Sequence, residues 1–372
     1  KHIDEEGVLI DNFQLVAGDR LLETETEELF TTAPHPTRNF RHNLADLKAQ
    51  IAANEKGAQE LRKMVEHFGL DVVHAYMKHV QDNAEESVRR VLRVLKDGSY
   101  CYEMDSGAKI CVSIEINRDA REGTVDFTGT SPQLDSNFNA PSAVSMAAVL
   151  YVFRLMVDDD IPLNSGCLKP LKIIIPPGSL LNPSYPAAVV AGNVETSQAI
   201  TDTLLGALGI MGASQGTMNN FTFGNNAGYQ NYETICGGAG AGPGYDGTDA
   251  IHTHMTNTLA TDPEILEWRF PVVLESFSIR DGSGGAGKHR GGHGIIRRVR
   301  FEETMTAAVV SGHRRVAPFG VAGGAPGKCG HNYVERADGS VAELSGTDGT
   351  EMFPGDVFVI ETPGGGGYGK LA

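Results

Sequence analysis

Between residues 41 and 95 apolar residues recur at helical spacing, which predicts a pair of amphipathic helices. Leu44, Leu47, Ile51, Leu61, Met64 and Val65 mark the first stripe, and Gly69 suits the position just past a helix end. Asp71 can cap a second helix, whose stripe runs through Val72, Val73, Tyr76, Met77, Val80, Val88, Val91, Leu92 and Leu95. Two such helices joined by a glycine turn predict an antiparallel helical hairpin. Residues 1–37 read as extended and loop-rich, with Val8, Ile10, Phe13 and Leu15 directed inward and Pro34 and Pro36 closing the segment.

The period then changes to two. Ile110, Val112, Ile114 and Ile116 alternate with smaller or polar residues, and GTVDFTGT continues the alternation after the turn NRDAREG, which predicts a β-hairpin over 109–130. An apolar run predicts a buried helix from Ser142 to Val157, and LKIIIPPGS a short strand stopped by Pro176 and Pro177. Asn193 suits the N-cap of a helix over Thr196–Met211 that carries Ile200, Leu204 and Leu208. From Phe270 onward, β-branched or alternating runs separated by Gly, Pro and Asp predict strands and turns, a sandwich or partial barrel. The fold class is therefore α+β: an N-terminal segment with the helical hairpin (1–108), a central mixed α/β region (109–269) and a β-rich C-terminal unit (270–372).

Charge and cysteine usage narrow the classes. Lys plus Arg number 31 against 47 Asp plus Glu, a net charge of −16, and no basic stripe favours nucleic acid. The local basic run Lys288 to Arg300 is explained at least as well by an alternating strand face as by an anion site. Five dispersed cysteines without a CxxC pair argue for reduced thiols, a cytoplasmic setting, and neither a disulfide framework nor structural zinc. No apolar run reaches membrane-spanning length, and the N-terminus has no signal-peptide core. The chain opens without Met, as the later part of a longer polypeptide would.

The chemistry-bearing residues concentrate in 231–267, where the glycine-rich run GGAGAGPG is followed by Asp246, Asp249, His252, His254, Asn257, Asp262 and Glu264. Glycines let backbone N–H groups approach a ligand; the same composition also suits a wet surface loop. On a strand, His252 and His254 would share a face, able to grip a carboxylate or carbonyl, while only two imidazoles fall short of a metal site. Asn193, Glu195 and Gln198 at a helix mouth are either caps or ligand contacts. Other motifs fail on context. GSGGAGKH at 282–289 lacks the Ser or Thr that ends a P-loop, GASQG at 212–216 follows a helix where a nucleophile elbow needs a strand, and GGAGAGPG lacks dinucleotide-binding spacing. Cys236 next to the glycines is a thiol candidate that most buried cysteines would match equally well.

The runs GNVETSQAITDTLLGALG, ASQGTMNN, YETICGGAGAGPGYDG, HTHMTNTLATDPEILEWRFPV, GSGGAGKHRGG and PGDVFVIETPGGGGYG together resemble the hydantoinase B/oxoprolinase family over the whole chain. That resemblance implies an ATP-dependent amidohydrolase opening 5-oxo-L-proline to L-glutamate. ATP and Mg²⁺ would belong to a hydantoinase A-type partner module that phosphorylates the lactam, and this module would hydrolyse the activated intermediate. Within the family, an N-methylhydantoinase or ketone carboxylase subunit is the alternative; from another class, a non-catalytic structural partner of the ATPase. The earlier part of the hydantoinase B-type module, with its His- and Asp-containing motifs, has no counterpart here, so a divalent metal held there would take its ligands from outside this chain. A homo-oligomer is also expected. On chemical grounds Asn193, Glu195, Asn219, Asn220, Glu233, His252, His254 and Asn257 are expected to line the pocket. Glu233 or a histidine would be the general base, and the N–H groups of Gly238 to Gly242, Gly240 included, the oxyanion donors.

Overall fold

In the computed structural model, which describes residues 2–371, the N-terminal stretch holds more helix than its composition suggests. A two-stranded turn, β1 (Val16–Ala17) with β2 (Arg20–Leu21), leads into α1 (Glu23–Thr32), a helix absent from the pattern-based reading. Its sequence ETETEELFTT has too few apolar positions to show a period, and its stabilisation comes from glutamates in the first turn, where they face the positive end of the helix dipole. Ile10, expected inward, is exposed.

The long helices follow as α2 (Phe40–Phe68) and α3 (Leu70–Leu92), broken by Gly69 at φ +84°. Only Leu44 of α2 is buried, whereas the second half of α3 seats Ala84, Val88 and Leu92 in the first core. The far ends of both helices stand in water, so much of the predicted inner stripe is exposed. That core lies under a four-stranded sheet of order β3-β4-β5-β6, formed by Gly98–Glu103, Lys109–Asn117, Glu122–Asp126 and Leu171–Ile174. The predicted hairpin is β4 and β5, and β6 joins parallel to β5. Helices α4 (Ser142–Leu155) and α5 (Ser197–Leu208) complete the packing with Phe153, Ile200 and Leu204. Cys101 and Cys111 face each other across β3 and β4 and are joined as a disulfide; this corrects the expectation of five free thiols, since the hairpin brings together cysteines ten residues apart.

The second core lies between two antiparallel sheets. One has the order β14-β11-β7-β8, from Thr347–Met352, Met305–Val310, Asn220–Gly224 and Gln230–Glu233. After the short α6 (Pro263–Arg269), the other takes the order β13-β12-β15-β10-β9, from Val341–Leu344, His331–Glu335, Val357–Glu361, Ile295–Phe301 and Val272–Ile279. Phe221, Phe223, Phe301 and Phe358 meet between them, each such burial contributing about 1.5–3 kcal/mol. β7 and β8 come from the central segment and pair with strands from the C-terminal one.

Glycine-rich backbone cements the two halves. The N–H groups of Gly364, Gly365, Gly366 and Gly367 donate to the carbonyls of Lys328, Gly292, Ala213 and Ala325, which lie on three separate stretches of chain. A Cβ at Gly365 would stand 1.9 Å from the Ala239 carbonyl oxygen, so only glycine fits that crossing.

Candidate functional site

A cavity of about 240 Å³ opens where the approach to α5, the β3–β4 turn and the loop after β11 converge. Glu195 and Ala199 face it from the helix, Tyr102 and Asp105 from the hairpin, and Gly312 and His313 from the loop. Glu195 belongs to a π-helical turn, Gly192–Thr196, that feeds directly into α5. Turns of this type widen a helix by one residue and recur at functional sites. Asn193 therefore sits inside the turn rather than capping the helix, and its side chain is exposed.

The Glu195 carboxyl is 2% exposed and asymmetrically held. Thr217 Oγ1, the Met218 N–H and Asn220 Nδ2 donate to Oε1 at 2.9, 3.0 and 2.7 Å. Oε2 faces Gly312, where a Cβ would stand 3.4 Å away. Burial pushes the acid up to about 8 despite those three donors. At neutral pH it is predominantly protonated, and its proton belongs on Oε2, the oxygen with room for it.

Opposite lie Tyr102 and His313. The Tyr102 hydroxyl is 2.8 Å from His313 Nε2, and the Val316 carbonyl takes Nδ1. A carbonyl can only accept, so Nδ1 carries the ring proton and Nε2 accepts from Tyr102. Burial lowers the imidazole and, aided by the Asp202 charge, raises the phenol well above its ordinary value, so both are neutral. Gly216 permits this approach: its φ is +62° and a Cβ there would stand 2.3 Å from His313 Nε2. Asn219, His254 and His313 also hold left-handed φ angles of 44°, 50° and 53°. Strain of this kind costs of order 1–3 kcal/mol per residue and concentrates at functional sites.

Asp202, seven residues beyond Glu195 and on the same helix face, links the cavity to a second imidazole. Ser214 donates to it from N at 3.0 Å and from Oγ at 3.2 Å, which fixes the GASQG serine as a buried support. His254 Nε2 lies 3.6 Å from Asp202 Oδ1, and the Tyr151 hydroxyl 3.2 Å from His254 Nδ1. His252 is half-buried; its Nδ1 and His254 Nε2 have no hydrogen-bond partner among the described residues. The segment after Ile251 is irregular, which corrects the shared strand face expected for this pair: His254 turns inward through its left-handed backbone.

The remaining expected residues separate. Asn220 bonds Glu195, and the buried Asn219 accepts from Arg314 Nη2 at 2.8 Å. Glu233 is 5% exposed and clamped by Arg297, with Nε and Nη2 each donating at 3.1 Å, so it serves the second core and not the cavity. Asn257 is exposed. Gly238 and Gly240 lie in the glycine layer, and the N–H groups of Gly238, Ala239, Ala241 and Gly242 already donate to backbone carbonyls. Those four amides are not free oxyanion donors, because close backbone packing consumes them. Tyr102, Asp202, His313 and Arg314 escaped the pattern-based reading. Asp202 had a signal, the one charged residue of the helix Ser197–Leu208, at i+7 from Glu195; His313 had none.

ATP does not fit the 282–289 loop. The N–H groups of Gly285, Lys288 and His289 donate to Gly365, Gly369 and Tyr368 carbonyls, Gly284 N–H to His293, and no helix follows. Among the described residues no cluster of three or more His, Cys, Asp or Glu side chains is arranged to hold a metal, and no helix is long and apolar enough to cross a membrane. A larger open depression of about 650 Å³ is bordered by Asp97, Glu115, Glu122, Lys169 and Lys172, all solvated surface charges.

Comparison with known proteins adds the family context. The hydantoinase B/oxoprolinase family profile matches residues 1–371. The chain is 44% identical to 5-oxoprolinase 1 of Arabidopsis thaliana, covering all of this chain and 31% of that protein. It is 42% identical to 5-oxoprolinase of Dictyostelium discoideum, covering all of this chain and 30% of that one. The chain thus spans about a third of the length of these relatives. An ATP-dependent caprolactamase from Pseudomonas jessenii has the same fold, with a TM-score of 0.84 at 24% identity over 98% of this chain and 67% of that one.

Proposed function

Because the chain belongs to the hydantoinase B/oxoprolinase family, we propose that it is the water-using portion of an ATP-dependent cyclic amide hydrolase, with 5-oxo-L-proline as substrate and L-glutamate as product. The observation that carries this reading is the buried Glu195 carboxyl lining a small cavity beside the hydrogen-bonded pair Tyr102 and His313, where burial pushes the acid up to about 8. Ring opening adds water across one C–N bond: a C–O bond forms, the C–N bond breaks, and the departing nitrogen needs a proton. Glu195 supplies that proton from Oε2, and its carboxylate then recovers one from the attacking water. A carboxyl near pH 8 is matched to this exchange at neutral pH, when neither direction is strongly uphill. Glu233, already ion-paired, is not the base in this scheme. ATP and Mg²⁺ belong to a hydantoinase A-type module outside this chain; when bound there they would activate the otherwise unreactive amide by phosphorylating its oxygen, so that ring opening leaves an acyl phosphate, which a second water splits into the carboxylate and inorganic phosphate.

The names of the 5-oxoprolinases, 42–44% identical over the full chain, support the five-membered lactam as substrate. Incubating the full-length protein with ATP, Mg²⁺ and a panel of substrates tests it. ADP and L-glutamate formed together from 5-oxo-L-proline are expected. ATP consumption triggered only by a hydantoin, or by a ketone with bicarbonate, would move the chain to another branch of the family.

A further inference from the structure

Asp202 stands between two tyrosine–histidine pairs. On one side the Tyr102 hydroxyl meets His313 Nε2 at 2.8 Å, with the rings edge to face at 86°; on the other the Tyr151 hydroxyl meets His254 Nδ1 at 3.2 Å, with the rings at 70°. The carboxylate reaches both. A Cβ built on Gly216 would stand 2.3 Å from His313 Nε2 and 3.1 Å from Asp202 Oδ2, so these two atoms flank one point, while Asp202 Oδ1 lies 3.6 Å from His254 Nε2. Tyr102 comes from β3, Tyr151 from α4, Asp202 from α5 and the histidines from two separate loops.

The Tyr102–His313 pair forms the cavity wall, whereas the reaction scheme leaves the Tyr151–His254 pair idle. Yet His254 is turned inward by a left-handed backbone, its side chain is 5% exposed, and its Nε2 has no hydrogen-bond partner among the described residues. A fully buried carboxylate calls for compensation. Ser214 gives Asp202 two hydrogen bonds, and among the described residues no Lys or Arg pairs with it, which leaves His254 as its basic neighbour. With the Tyr151 hydroxyl donating to Nδ1, Nε2 carries the ring proton and presents an N–H to Oδ1. We propose that His254 is a positioning residue for the neighbouring cavity: oriented by Tyr151, it offsets the charge of Asp202 and so leaves His313 Nε2 free to accept from Tyr102. This rests on the reading of that cavity as the place of ring opening. His313 is faced by Tyr102 of β3, Asp105 of the β3–β4 turn, Asp202 of α5, Glu195 across the cavity and Arg314 on its own loop. Burial holds its imidazole neutral, and the Asp202 charge pulls the other way; Tyr100, Tyr102 and Tyr151, the phenols around Asp202, are raised by burial first and by that charge second. An imidazolium at His313 has no lone pair for Tyr102, and the wall comes apart.

The test is the amino acid released per ATP consumed by the full-length protein, followed across pH on whichever substrate of the panel triggers ATP use. Neutral His313 sets the acid limb of that profile and protonated Glu195 the basic limb. His254→Phe keeps a ring and removes the N–H, so the pull of Asp202 goes unopposed and the acid limb is expected to move up by about 1 pH unit, the size of effect an adjacent charge exerts. Adding Asp202→Asn, which keeps both Ser214 contacts, is expected to bring the limb back to the wild-type position or below it. Asp202→Asn alone is expected to move it down, and decides the matter should His254→Phe not fold. A uniform fall in release with the acid limb unmoved in His254→Phe, as a packing role alone would give, or an acid limb unmoved by Asp202→Asn, overturns the proposal. Glu195→Gln, profiled alongside, keeps the two readings apart: coupled release that retains its basic limb there counts against Glu195 as the acid, wherever the acid limb lies.

Discussion

The Tyr102 hydroxyl and His313 Nε2 meet at 2.8 Å across 211 residues of sequence. The contact ties the first core's sheet to the loop that follows β11, and it fixes one wall of the cavity. Tyr102→Phe leaves a buried imidazole nitrogen without a donor, a loss of about 1–3 kcal/mol. Chemical denaturation should show that decrease, and the ¹⁵N shifts of His313 should move.

Glu195→Gln keeps the acceptor for Thr217, Met218 and Asn220 while removing the titration. Glu195 rises from about 4.5 to about 8 on folding, so between those values the folded state binds more protons than the unfolded one. Wild-type stability from this group is fully present below about 4.5 and is lost as pH climbs through 8. The Gln variant lacks this term. Its stability relative to wild type should therefore improve from pH 5 to pH 8, by up to about 1.4 kcal/mol per pH unit; a difference independent of pH would contradict the burial argument.

Gly216→Ala places a side chain against His313 and forces a left-handed residue. The expected loss is about 2 kcal/mol or more, visible as a lower melting temperature together with reduced turnover.

Arg297→Met strands Glu233 in the second core, where burial already raises its pKa against the pull of the guanidinium. A destabilisation of about 3–5 kcal/mol is expected. Adding Glu233→Gln to that variant should recover much of it, and Glu233→Gln alone should leave the coupling of ATP use to product release intact. Uncoupling by that single change would return Glu233 to the chemistry.

Legibility in sequence followed the range of the interactions. The two long helices, the 109–130 hairpin and the C-terminal strands were readable because their apolar period repeats over many residues, whereas α1 was not, its ETETEELF holding only two apolar positions. Glu195 and Asn220 were legible as polar residues at a helix mouth and beside it. The glycine run was read as a ligand cradle because backbone packing on backbone demands the same residue as backbone packing on a ligand; Gly365 against Ala239 is the former. His313 could not be found locally, since its place depends on Tyr102 and on the left-handed backbone at Gly216.

In the proposed reaction Glu195 moves the protons of ring opening. The direct test is the ratio of amino acid released to ATP consumed by the full-length Glu195→Gln protein, measured beside wild type. Lactam-triggered ATP hydrolysis is expected to persist while amino acid release falls at least about 100-fold, within the range of general acid–base contributions. Coupled release at the wild-type rate would contradict it.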